Sequence, residues 1–196
     1  MVGPETALAA PEKMTAEEVS AAHLSSESFS AWDQVFAINT HSLWFATMTL
    51  LPLLAAGNAA PPKNRTDAYA KWTASVINIT SISGLVKIAQ SHYAYNASKA
   101  AANSLTKMLA HELNFRSQLG VRVNAIAPGM FVTEMTTSKG TGARIDPSQT
   151  QVPHFNPAGR SGTEPEMGQL CLYLATNAFQ NGAVIQLDGG FVASGL

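Results

Sequence analysis

SVINIT (Ser75–Thr80), SHYAYNASKAAANSLTKMLAHEL (Ser91–Leu113) and VRVNAIAPG (Val121–Gly129) follow one another in the middle of the chain. The first is short and β-branched and runs into Ser-Ile-Ser-Gly, the pattern of a strand that ends in a turn. The second is rich in Ala, Leu and Lys and predicts a helix from Tyr93 to about Gln118, with Gly120 as its stop. The third is a strand broken by Pro128-Gly129, because proline has no N–H to give to a sheet ladder. A strand, a helix and a second strand in close succession read as a parallel pair joined by a crossover helix.

Upstream, a helical pattern starts at Ala31 with Trp32, Val35 and Phe36, continues from Leu43 through Leu54, and closes at Gly57. GNAAPPKNRTDAYAK (57–71) then reads as a loop. Downstream, a segment rich in Gly, Ser, Thr and Pro covers Thr136–Gly162. Thr163 and Glu166 form a capping box that starts a helix ending near Thr176, and GAVIQLDGG (182–190) supplies a third strand. Residues 1–30 read as a surface loop with a short helical piece at Ala16–His23, and residues 31–196 as one domain. This alternation implies a doubly wound, Rossmann-like α/β sheet with crossover helices.

Composition narrows the function classes. The chain has 196 residues, 46% hydrophobic and 13% charged, with a net charge of −1. That balance argues against a nucleic-acid binder, and no Lys/Arg run is present. The one cysteine, Cys171, excludes an internal disulfide and reads as an inert thiol on an apolar helix face. The five histidines show no metal-ligand spacing, so no metal site is expected. The N-terminus lacks the basic-then-apolar order of a secretory signal. The run Leu43–Ala56 is shorter than a membrane span and contains Pro52, so it reads as a core or subunit-interface helix. A cytoplasmic setting follows as the expectation.

The chemistry-bearing residues converge at one rim. Ligands of open parallel sheets bind beyond the C-terminal ends of the strands. Ser81 and Ser83 stand just past the first strand, and Pro128-Gly129 just past the second. The helix bearing Tyr95 and Lys99 begins near the same edge. Tyr95 and Lys99 are four apart and share a helix face, a spacing that also arises by chance. TSISG (80–84), YNASK (95–99) and VNAIAPGMFVT (123–133) occur in order, with DQVFAINT (33–40) before them and VIQLDGG (184–190) after. From about Ala31 to the C-terminus, this set resembles the short-chain dehydrogenase/reductase family.

The resemblance implies hydride transfer between NAD(P) and a carbonyl or secondary alcohol, with a leaning towards 3-oxoacyl thioesters. It gives Tyr95 the role of acid or base and Lys99 that of its charge partner and ribose ligand. An ordinary tyrosine holds its proton to about pH 10, and a neighbouring cation favours the phenolate. Ser81 would hydrogen-bond the substrate oxygen, with Ser83 as competitor. Asn39 would sit on a locally distorted helix that holds a relay water. Pro128, Gly129, Phe131 and Thr133 would line the nicotinamide, and Thr136–Gly162 would cover the substrate. Asn78 and Asn124 read as structural. A small-molecule substrate and a homo-oligomer are the implied partners, with no nucleic acid or membrane. The family's glycine-rich turn is absent, since Gly140 and Gly142 follow no strand. The alternative reading is therefore a truncated, inactive remnant that acts only as an oligomer or partner-binding subunit.

Overall fold

A computed structural model describes residues 14–59, 73–89, 92–133 and 156–194. Three parallel strands form its sheet: β1 (Ser75–Ile79), β2 (Arg122–Pro128) and β3 (Val184–Leu187), in the order β1-β2-β3. The register pairs Ser75 with Arg122, Ile79 with Ile126, Ala125 with Val184 and Pro128 with Leu187. Arg122 through Ala127 are all buried, as a central parallel strand covered on both faces requires. All three expected strands form, β1 without Thr80, β2 one residue shorter at each end, and β3 losing two residues at its start and three at its end.

Helix α1 (Ala16–Leu24) and helix α2 (Phe29–Phe36) come first. A π turn at Ala37–His41 then leads without a break into α3 (Ser42–Ala59). The expected start at Ala31 is two residues late, because the Ser28 side chain accepts from the Ala31 N–H and caps the helix earlier. Gly57 is not the stop, and Pro52 lies inside the helix. The Leu43–Ala56 run is thus part of a 31-residue helical stretch, Phe29–Ala59, long and apolar enough by length and composition to cross a membrane. The expectation that it is too short is corrected. Hydrogen bonds from Asn39 and Thr40 nevertheless dock this stretch against another helix of the domain.

That partner is α4 (Tyr93–His111), the crossover from β1 to β2. It ends seven residues before the expected Gln118 and is followed by a second π turn, Glu112–Arg116. The chain then reverses with positive φ at Gln118 and Gly120. Leu109, Ala110 and Leu113 meet Val121 and Val123, and Met48, Leu51 and Leu54 of α3 pack against the same cluster. Arg122, between those two valines, instead reaches the carbonyls of Leu174 and Ala175 in α5 (Glu164–Thr176). Adjacent strand residues point to opposite faces, so α4 and α5 cover opposite sides of the sheet. Cys171 on α5 is half-buried, less enclosed than its apolar neighbourhood implies. The loop expected at 57–71 lies mostly outside the described residues, as does most of Thr136–Gly162.

The capping box at Thr163 forms, and Glu166 also grips Arg160 through two bonds of 2.9 and 2.5 Å. Those bonds, with the Thr163 N–H, hold the Glu166 carboxyl down at about 2. A depressed carboxylate stabilises the fold above its unfolded value and loses that contribution as pH falls towards its folded one. Between pH 4.5 and 2, the melting temperature of wild type is therefore expected to fall more steeply than that of Glu166→Gln. Parallel thermal melts across that range check this, and identical slopes would refute it.

Candidate active site

Three segments meet at the C-terminal ends of β1 and β2. After β1, Thr80 sends both its N–H and its Oγ1 to the Ile126 carbonyl, at 2.8 and 3.1 Å, which fixes where the strand stops. Ser81 then caps a 3-10 turn, Ile82–Gly84. Its Oγ accepts the Ser83 N–H at 3.1 Å, so the hydroxyl's own proton is left to donate elsewhere. Ser81 is buried and Ser83 half-buried. Gly84 explains how the turn reaches α4: a Cβ there would stand 2.5 Å from the carbonyl carbon of Lys99 and 2.6 Å from the Ala100 nitrogen. Only glycine permits that approach.

The first turns of α4 carry Tyr95 and Lys99. Lys99 Nζ lies 5.6 Å from the centre of the Tyr95 ring and donates to the Ile79 carbonyl at 3.1 Å. Its side chain is nearly enclosed, and burial lowers its pKa from the ordinary lysine value by stripping water from the ammonium. Tyr95 is half-buried, and its hydroxyl makes no hydrogen bond with the described residues. A hydroxyl with no partner among the described residues has its proton left to donate elsewhere.

Asn39 sits in the middle of the π turn. Its Nδ2 donates to Ser98 Oγ at 3.1 Å, Thr40 Oγ1 donates to the Ser98 carbonyl at 2.9 Å, and Ser98 Oγ donates to the Tyr95 carbonyl at 2.7 Å. Ser98 therefore ties the π turn to the Tyr95–Lys99 segment. Sequence reading missed this residue; its one trace is a small hydroxyl immediately before the lysine.

Past β2, Gly129 donates to the Leu187 carbonyl at 2.9 Å, and Phe131 bridges to Gly162. The structure thus ties Asn39 to the Tyr95–Lys99 segment through Ser98 and sets Ser81 at the end of β1 on a turn whose Gly84 packs on the Lys99 backbone, while Pro128 closes β2 and Gly129, Phe131 and Thr133 follow it. Asn78 and Asn124 are structural, as expected. Asn78 donates to Thr106 Oγ1, and Asn124 joins the Gln180 carbonyl to the Ala183 N–H. Among the described residues no His/Cys/Asp/Glu group has metal-binding geometry.

A parallel sheet with these polar residues gathered at the C-terminal ends of its strands places them where open α/β sheets bind their ligands. Residues 14–192 match a family profile described as enoyl-(acyl carrier protein) reductase, and the chain belongs to the short-chain dehydrogenase/reductase family. It is 37% identical over 173 residues to the rhamnolipids biosynthesis 3-oxoacyl-[acyl-carrier-protein] reductase of Pseudomonas aeruginosa, covering 87% of this chain and 61% of that protein. It is 33% identical to the 3-oxoacyl-[acyl-carrier-protein] reductase FabG of Thermotoga maritima, covering 82% of this chain and 57% of that protein. The Pseudomonas aeruginosa RhlG/NADP active-site complex superposes with a TM-score of 0.67 at 34% identity, covering 85% of this chain and 59% of that structure. The chain therefore spans about three-fifths of the length of these relatives.

Proposed function

We propose that this chain carries the catalytic portion of an NAD(P)-dependent oxidoreductase acting on a carbonyl or secondary alcohol. The observation that carries the reading is the Ser98 junction, which locks the Asn39 turn to the Tyr95–Lys99 helix at the strand ends. The donor set fits the nicotinamide half of the cofactor. Lys99 offers an ammonium with N–H groups to spare, and the Pro128–Thr133 loop offers backbone at the same rim. Among the described residues no glycine-rich strand-to-helix turn stands ready for the pyrophosphate.

The nicotinamide, when bound, supplies or takes the hydride. In reduction, Tyr95 gives its hydroxyl proton to the carbonyl oxygen as that oxygen gains charge, and in oxidation it takes the proton back. The Ser81 hydroxyl donates to the same oxygen and favours the charged transition state. Lys99 favours the tyrosinate left behind, and Asn39 holds the turn through which a proton returns. For the substrate we infer a 3-oxoacyl thioester, since the family description and both relatives name acyl-carrier-protein substrates. A cytoplasmic homo-oligomer accompanies this reading. It is supported by apolar side chains exposed along the α2–α3 stretch, among them Ile38 and Leu53, which are 72% and 71% exposed.

Titration of the purified chain with NADPH and NADH, followed by cofactor fluorescence, tests the reading. Wild type is expected to saturate, with Lys99→Ala weakening binding roughly tenfold, the loss of one charge-assisted contact. No saturation in a sample shown to be folded would sink the proposal.

A further inference from the structure

The geometry points to Asp188 as a positioning residue for the Pro128–Thr133 loop; this inference rests on the nicotinamide-binding role proposed for that loop. Asp188 follows β3, and its carboxylate is spent on the backbone. Oδ1 accepts the Gly190 N–H at 2.9 Å and Oδ2 accepts the Val192 N–H at 2.8 Å. Those two bonds set a turn in which Gly189 and Gly190 take φ values of 63° and 88°. Each carboxylate oxygen thereby satisfies a peptide N–H that a neutral, shorter side chain would leave unpaired.

The turn clamps the loop from both sides. On one side, a Cβ at Gly129 would lie 2.8 Å from Asp188 Cα and 2.9 Å from its Cβ, so the loop rests directly on this residue. On the other, the Gly189 carbonyl accepts the Ala158 N–H at 3.1 Å, and Gly190 packs 3.1 Å from Pro157 Cγ if given a Cβ. That segment continues to Gly162, which donates to the Met130 carbonyl at 2.9 Å and leaves no room for a Cβ beside the Phe131 ring. Moving the Asp188 turn therefore moves Gly129 directly and Met130–Phe131 through residues 156–162. Tyr95, Ser98 and Lys99 are anchored separately, by α4 and the Asn39 turn.

The separation of the two anchors predicts a split in kinetics: loss of Asp188 weakens cofactor binding and leaves proton transfer alone. Amide hydrogen exchange and NADPH titration of wild type, Asp188→Asn and Asp188→Ala test this. Asparagine keeps one acceptor oxygen, so exchange at Gly129–Phe131 is expected to quicken in the order wild type, Asp188→Asn, Asp188→Ala, with Ala102–Ala110 in α4 unchanged. The Kd for NADPH is expected to rise roughly tenfold in Asp188→Ala and less in Asp188→Asn, with kcat held, as for a contact group displaced by a fraction of an ångström. Unchanged exchange at Gly129–Phe131 in Asp188→Ala, or equal quickening in α4, would overturn the inference. A wild-type chain that binds no NADPH defeats the functional reading instead, and the exchange comparison still decides whether Asp188 holds the loop.

Discussion

Tyr95→Phe is expected to lower turnover by roughly 10²- to 10⁴-fold, the range for loss of a positioned proton donor, while leaving cofactor affinity and melting temperature close to wild type. The Tyr95 contacts in the fold are made by its carbonyl, which accepts from Ser98, and by its ring near Lys99. Phenylalanine keeps both. The lost hydroxyl has no hydrogen bond with the described residues, so its removal orphans nothing. The measurement is a pair: single-turnover reduction of a 3-oxoacyl thioester with NADPH, and thermal melting. Retained turnover would remove Tyr95 from the chemistry. A large drop in melting temperature would mean that the hydroxyl has a structural partner instead.

The second large effect lies far from the rim. Arg122→Leu is expected to destabilise the fold by roughly 3–5 kcal/mol, because several enclosed carbonyls lose their donor at once. Arg122 is only 2% exposed and no carboxylate pairs with it among the described residues. Its Nε and Nη atoms reach Thr73 Oγ1 at 2.7 Å, the Leu174 carbonyl at 2.7 Å, the Ala175 carbonyl at 2.9 Å and the Gln180 carbonyl at 3.2 Å. The Leu174 and Ala175 carbonyls belong to the last turn of α5, where unsatisfied acceptors and the negative end of the helix dipole favour a cation. Burial lowers the pKa of the guanidinium from its ordinary value, and arginine stays charged all the same. Against a typical total stability of about 5–15 kcal/mol, this loss is severe. Urea titration of Arg122→Leu beside Arg122→Lys measures it, with lysine expected to recover only part. A midpoint unchanged in the leucine variant would refute the role.

Helix α5 was legible to the residue because its signals are local: Thr163 and Glu166 make the same capping box in sequence and in space. The strands were legible for a similar reason, since β-branched runs bounded by Ser, Gly and Pro leave few alternatives. The α2–α3 stretch was misread at both ends. Gly57 and Pro52 usually end helices, yet here Leu51 and Leu54 pack on the core cluster and Asn58, past Gly57, bonds to the Leu119 carbonyl and the Ala74 N–H. At the site, Ser81, Tyr95 and Lys99 could be placed at one rim from the strand ends, whereas Asn39 and every residue's role came only with the family resemblance. What that resemblance could not supply was their connection, because Ser98 acts on residues remote in sequence. Gly84 and Asp188 were hidden for the same reason: the one matters through the backbone of α4 and the other through the back of Gly129.

The bond from Lys99 to Ile79 has a consequence beyond the reaction. Ala74 accepts from Arg122, and Thr80 donates to Ile126, so the even-numbered residues of β1 face β2. The odd-numbered ones, Ile79 included, turn their peptide groups to the side of β1 that has no strand beside it among the described residues. The ammonium proposed to hold a ribose thus also satisfies a carbonyl on that side of β1, where an unpaired row of peptide groups would otherwise template strand pairing. The part proposed for Lys99 in the reaction and its hold on a strand-edge carbonyl thus meet in one ammonium group.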